Sequence, residues 1–196
     1  EINSMPNEHY DLYFDYLSKN VMQPFYEKRL KKLQALKLND ILKRKNPYLF
    51  KAKNIVTAGE FITNILDAFL SSQEETIFGD LLEGFAIFIS NTLYSGIKSD
   101  FQSIDLEFQR EKIYYIVSIK SGPSWGNSDQ IAQMQNNFKL AKNKLCQNGN
   151  RLEIIAVNGC IYGKDGHPFK ESAIPEKSYY KYCGQEFWEF ISGNSN

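Results

Sequence analysis

The chain has 196 residues, 42% of them hydrophobic and 14% aromatic, and its 23 basic residues balance 23 acidic ones. That length fits one main core with room for a helical appendage, and a net charge of zero argues neither for nor against an anionic partner. Cys146, Cys160 and Cys183 and the two histidines show no ligand-type spacing, which leaves a zinc site and a disulfide framework without support.

In chain order, residues 1–4 precede Met5 and read as an expression scar. Residues 5–70 read as an N-terminal, partly basic helical segment, and 71–196 as the core. Leu12, Tyr13, Tyr16 and Leu17, then Leu30, Leu33, Leu36 and Leu38, follow a helical period from His9 to about Leu42, with Pro24 as a break. Lys28, Arg29, Lys31, Lys32, Lys37, Lys43, Arg44 and Lys45 face only Glu27 and Asp40 in that stretch, a local surplus of six positive charges. A helix over about Ala58–Leu70 is expected to stop at SSQEE. There Ser71 and Ser72 each precede a glutamate by three residues, the capping-box pattern of a new helix running to about Leu93. Its apolar arc carries Ile77, Phe78, Leu81, Leu82, Phe85, Phe88, Ile89 and Leu93. Glu83 falls opposite, among Thr76, Gly79, Ala86 and Ser90, small neighbours that would let another element come close.

The period then changes. Ser103–Phe108 and Ile113–Lys120 read as strands joined by a QREK turn. A helix of roughly Asp129–Cys146 follows, closed by Gly149, and RLEIIAVNG (151–159) is an apolar strand. This order predicts a mixed α/β fold in which the last strand lies parallel to the second hairpin strand. No apolar run of spanning length and no leader stands out, so the sequence reads as soluble and cytoplasmic, without a membrane or a small-molecule cofactor. The abrupt end at SGNSN reads as a chain cut short of further native residues.

An apolar hairpin has little reason to carry Asp105, Glu107 and Lys120, because each half-buried charge is costly unless paired or bound to an ion. Asp105 and Glu107 share one strand face, as do Ser118 and Lys120. Pairing in which opposed residue numbers add to 223 sets Asp105 across from Ser118. A carboxylate, a hydroxyl and an ammonium then meet at the strand ends. Mg²⁺ takes one or two carboxylates and fills its octahedron with waters and phosphate oxygens, and a neighbouring lysine can orient a water or stabilise charge. The plainer reading is a cross-strand ion pair.

SIDLEF followed by SIK at 118–120, between a Glu-bearing helix and a helix with a buried strand, resembles the PD-(D/E)XK nuclease superfamily. GDLLEGFA, IDLEF and IKSGPSWGNSDQ together resemble a group of type II restriction endonucleases associated with GGNCC-type palindromes, over residues 76–160. The resemblance implies a restriction-endonuclease-like mixed sheet flanked by helices, with double-stranded DNA as substrate, Mg²⁺ as cofactor and a homodimer matching the palindrome. It matches Asp105 to the metal-binding aspartate, Lys120 to the lysine and Ile119 to the main-chain metal ligand. Ser118 stands where the motif has an acid. The missing carboxylate then comes from Glu83, or secondly from Glu107, or Ser118 marks an inactivated site. In the loop, Ser121, Asn127 and the backbone amides would meet phosphate with Gln130 behind them, and Trp125 would either touch DNA or pack inward. Asn127 or Ser128 also reads as a helix cap. Lys28, Arg29, Lys31 and Lys32 would form a phosphate clamp or a solvated helix face. Two other readings stay open: a repair or junction-resolving nuclease of the same superfamily, and a degenerate DNA-binding module.

Overall fold

The computed structural model describes residues 9–43 and 46–194, so residues 1–4 and the basic Arg44 and Lys45 lie outside the described residues. The chain divides between Leu81 and Leu82 into two compact units.

In the first unit α1 (Tyr10–Tyr16) runs through a π-helical stretch (Leu17–Met22) into α2 (Gln23–Gln34). Pro24 does not break this rod. Proline lacks an N–H and crowds the carbonyl four residues back. Here it sits in the first turn of α2, directly after a stretch whose bonds already skip one residue further. The inner side carries Val21, 1% exposed, then Phe25 edge-on to Phe78 at 5.7 Å and Arg29 paired with Glu74 at 2.5 Å. Short helices α3 (Leu38–Leu42) and α4 (Pro47–Ala52) follow.

The expected stop at SSQEE is absent: α5 is one helix of 37 residues, Ala58–Tyr94. A capping box needs an extended residue at the cap, but Ser71 and Ser72 are helical, no proline interrupts the run, and Glu74 is drawn to Arg29. Undivided, α5 is about 55 Å long. By length and composition α5 is apolar enough to cross a membrane, as the core helix of a soluble protein can also be, whereas the two shorter helices expected from the sequence offered no run of that length.

The second unit is built on a six-stranded mixed sheet in the order β1-β2-β3-β4-β6-β5. Its strands are β1 (Ile97–Lys98), β2 (Leu106–Arg110), β3 (Ile113–Lys120), β4 (Glu153–Cys160), β5 (Phe169–Lys170) and β6 (Tyr179–Cys183). The hairpin has the expected register, Leu106 opposite Val117, but its ladder continues to Arg110–Ile113 and leaves a two-residue turn with Glu111 at φ 57°. As expected, β4 is parallel to β3. β6 adds a further parallel strand, and β1 and β5 pair antiparallel at the two edges.

Alternation gives the sheet two apolar faces. Helix α6 (Ser128–Gln147) covers one with Met134, Phe138 and Ala141 against Ile116, Ala156 and Tyr179. On the other, Phe108 stacks between Tyr94 and Tyr115, and Phe190 of α7 (Gln185–Ser192) closes the group. Gly159 lets Phe187 approach so closely that a Cβ there would overlap its ring.

Candidate active site

Asp105 lies directly before β2 and Lys120 ends β3, which brings Lys120 Nζ to 3.9 Å from Asp105 Oδ2. The Asp105 N–H donates to the Val117 carbonyl at 2.8 Å, and the Ile119 N–H donates to Asp105 Oδ2 at 2.6 Å. The carboxylate is therefore clamped in place by the backbone of the strand that carries Lys120. Burial pushes the Asp105 carboxyl up, against the opposing pull of the Ile119 N–H, Lys120 and Lys98. Both contacts fall on Oδ2, and Oδ1 accepts no hydrogen bond among the described residues.

Lys98, which the sequence did not single out, ties Glu83 to this group. Its Nζ is 3.6 Å from Glu83 Oε1, and its charge also acts on Asp105. The register of β1, Lys98 opposite Leu106, puts it there. Glu83 is not on a solvated helix face: Ala86 and Ser90, one and two turns on, are fully buried. Gly96 has no Cβ to collide with Ser90, and Phe108 follows close behind. Of the small residues around Glu83, Ala86 and Ser90 are buried and Ser90 lies against Gly96, whereas Thr76 is exposed.

Ser118 is fully buried and its Oγ has no partner among the described residues. Its carbonyl accepts from Asn158 Nδ2 at 3.1 Å, while Asn158 Oδ1 accepts from Trp125 Nε1 at 3.0 Å. Trp125 is therefore turned inward, and Lys120 Nζ lies 5.5 Å from its ring centre, a cation–π distance. Lys120 is held between Asp105 and Trp125. The sequence signal for Asn158 was a single amide in a buried apolar strand, which the reading passed over. Asn158→Leu leaves two buried groups unpaired and should lower stability by roughly 1–3 kcal/mol for each. Urea unfolding checks the stability, and a red shift of Trp125 emission checks the lost indole bond.

Glu107 is the second residue of β2; it pairs with Ile116, is 5% exposed and accepts from the Tyr114 hydroxyl at 2.9 Å. Burial, and then the bond to Glu107, pushes the Tyr114 hydroxyl up to about 12. No ion pair holds Glu107 among the described residues.

The loop after β3 is fastened from β6. Lys181 Nζ donates to the Pro123 carbonyl at 2.8 Å and pairs with Asp165 at 3.2 Å, and Asp165 also binds Lys170 at 2.7 Å. Burial works against the Asp165 charge, but bonds from Lys170, the His167 N–H and Lys181 outweigh it and hold the carboxyl at about 2. Asn127 and Gln130 form a capping box at the start of α6, so these side chains are already engaged. Ser121 is exposed, as are Lys28, Lys31 and Lys32 on α2, whereas Arg29 is committed to Glu74.

A family profile described as type II restriction endonuclease EcoO109I matches residues 14–196. The chain belongs to that family. No curated protein matches it. As a member of the EcoO109I restriction endonuclease family the molecule is a site-specific deoxyribonuclease, and double-stranded DNA is its partner. The mixed sheet and flanking helices are consistent with a restriction-endonuclease-like fold.

Among the described residues no three His, Cys, Asp or Glu side chains gather as a metal cage. Mg²⁺ does not need one, since one or two carboxylates with water and phosphate oxygens suffice. Asp105, whose Oδ1 accepts no hydrogen bond among the described residues, and Glu83, linked to it through Lys98, are the two carboxylates that could supply such a set.

Proposed function

We propose that this EcoO109I-family enzyme has a PD-(D/E)XK-type site and hydrolyses phosphodiester bonds with Mg²⁺ at a short palindrome of the GGNCC type, as a homodimer in the cytoplasm. The observation that carries the reading is the Asp105–Lys120 pair, 3.9 Å apart at the mouth of a loop fastened from two sides. Asp105, the Ile119 carbonyl and Glu83 would hold the ion, with Glu83 supplying the charge that Ser118 lacks and Glu107 the second choice. When bound, Mg²⁺ polarises a phosphate oxygen and makes a coordinated water more acidic.

The chain's own residues do the rest. Lys120 Nζ carries a proton beside the site, orients the attacking water and offsets charge on the phosphorane-like transition state. Trp125 and Asp105 fix where that ammonium stands. Ser121 and the exposed lysines of α2 supply phosphate contacts that position DNA without reading sequence. Asn127 and Gln130 contribute only what their capping box leaves over.

The test is incubation of the protein with plasmid or phage DNA of known sequence, in Mg²⁺ and in EDTA. Discrete Mg²⁺-dependent fragments are expected. A smear would point to a nonspecific or repair nuclease. Bound but intact DNA would favour a degenerate module, the reading to which the buried Ser118 hydroxyl lends weight.

A further inference from the structure

We propose that Lys181 is a positioning residue of this enzyme: by holding the Pro123 carbonyl it aims the backbone N–H of Ser124 at a phosphate of the DNA held at Lys120. The parallel registers put Ser118, Asn158 and Lys181 in one row across β3, β4 and β6, so their side chains leave the same face. Two of the three reach the loop after β3. Asn158 Oδ1 accepts the Trp125 indole N–H at 3.0 Å, and Lys181 Nζ donates to the Pro123 carbonyl at 2.8 Å. The Lys181 side chain is 14% exposed, its backbone N–H donates to the Pro168 carbonyl at 2.7 Å, and Asp165 Oδ2 stands 3.2 Å from Nζ. Asp165 is itself aimed, since its Oδ1 accepts from Lys170 at 2.7 Å and from the His167 N–H at 3.0 Å. Asp165 alone would answer the charge of a largely buried ammonium. That pairing does not call for the further bond to a loop carbonyl.

What the bond does follows from peptide geometry. A peptide unit is planar and trans, so its N–H points opposite to its C=O. With the Pro123 carbonyl drawn to Lys181, the Ser124 N–H is turned away from β6. Ser124 is exposed, and its N–H donates to no group among the described residues. An open backbone donor on the loop that follows Lys120 suits a phosphate oxygen. Without the tether the 123–124 peptide unit can flip, and a carbonyl oxygen would then face the phosphate and repel it. The rest of the loop is held by other groups: the Tyr162 N–H donates to the Ser121 carbonyl at 3.1 Å, and Asn158 holds Trp125. The Pro123 ring rests on Gly163, at φ 93°, where a Cβ would overlap it. Lys181 is thus the hold on the middle of the loop and on the direction of its one exposed peptide unit there.

This inference rests on the reading of Asp105 and Lys120 as the cutting site, so Lys120→Ala runs beside it in the test. Single-turnover cleavage in Mg²⁺ is compared with DNA affinity in Ca²⁺. Lys181→Met should slow cleavage at least about tenfold, because the phosphate is misplaced, with affinity nearly unchanged. Lys181→Arg should recover most of the rate, and Asp165→Asn, which loosens the ammonium without removing it, should fall between. In the parent the Ser124 amide proton should move downfield when a short duplex carrying a GGNCC-type site is added in Ca²⁺, and in Lys181→Met it should not. A Lys181→Met protein that melts earlier but keeps the parental rate and the Ser124 shift would overturn the proposal, as would an arginine variant that recovers nothing. If Lys181→Met does not fold, Asp165→Asn decides, and a parental rate there overturns the proposal. A Lys120→Ala variant that cuts like the parent, or a parent that cuts nothing, would sink the site reading. The Ser124 shift on adding duplex then decides this inference by itself: its presence upholds the aimed N–H, and its absence overturns it.

Discussion

Asp105→Asn abolishes DNA cleavage, by at least about 100-fold, and in EDTA leaves the protein more stable at pH 7 than its parent. The two effects share one cause. Burial raises the Asp105 pKa and outweighs the Ile119 N–H, Lys120 and Lys98, so the fold favours the neutral side chain over the ionised one. A carboxyl raised on folding lends stability below its unfolded pKa and loses it as pH rises through its folded pKa. At pH 7 the parent has lost that contribution, whereas asparagine keeps the bond from Ile119 and carries no charge to desolvate. Thermal unfolding of both proteins across a pH series in EDTA checks this, and the gap should close toward acid pH, where the parent is protonated. A variant less stable than the parent at pH 7 would show that the ion pair with Lys120 dominates. EDTA matters because a bound cation would reverse the preference.

Lys120→Ala cuts the single-turnover rate at least about 100-fold while DNA binding in Ca²⁺ or EDTA survives. Its ammonium is one of many cations available to bind phosphate, but the one held between Asp105 and Trp125. Lys120→Arg separates charge from proton transfer, since guanidinium keeps the charge but cannot give up its proton at working pH. The expected result is recovered binding with little recovered rate. Parental cutting by Lys120→Ala would place the site elsewhere.

The hairpin register was legible because strand alternation and a short turn leave few ways to pair Asp105 with its neighbours, and the parallel placement of β4 followed from the helix between. Glu107 shows the limit of that reasoning. Its face was right, yet its burial and its bond from Tyr114 depend on packing that alternation does not show. The break at Ser71 failed because a local capping pattern competes with tertiary partners, and Arg29, far away in sequence, claims Glu74. Lys98 was hidden because a two-residue strand has no period to detect. β6 was hidden in a stretch whose tyrosines read as loop or strand equally well, and with it went the Lys181 anchor of the loop.

The sheet order sets a sequence of events during folding. The β2–β3 hairpin closes through two residues and can form within microseconds of synthesis. β4 must then close a loop of about forty residues to set Cys160 beside Lys120, and β6 docks on β4 only afterwards. Asp105 and Lys120 both belong to the early hairpin, whereas Asn158 and Lys181 arrive with the late strands. The hairpin alone thus brings the candidate pair Asp105 and Lys120 together, while the groups that fix Trp125 and the loop belong to β4 and β6.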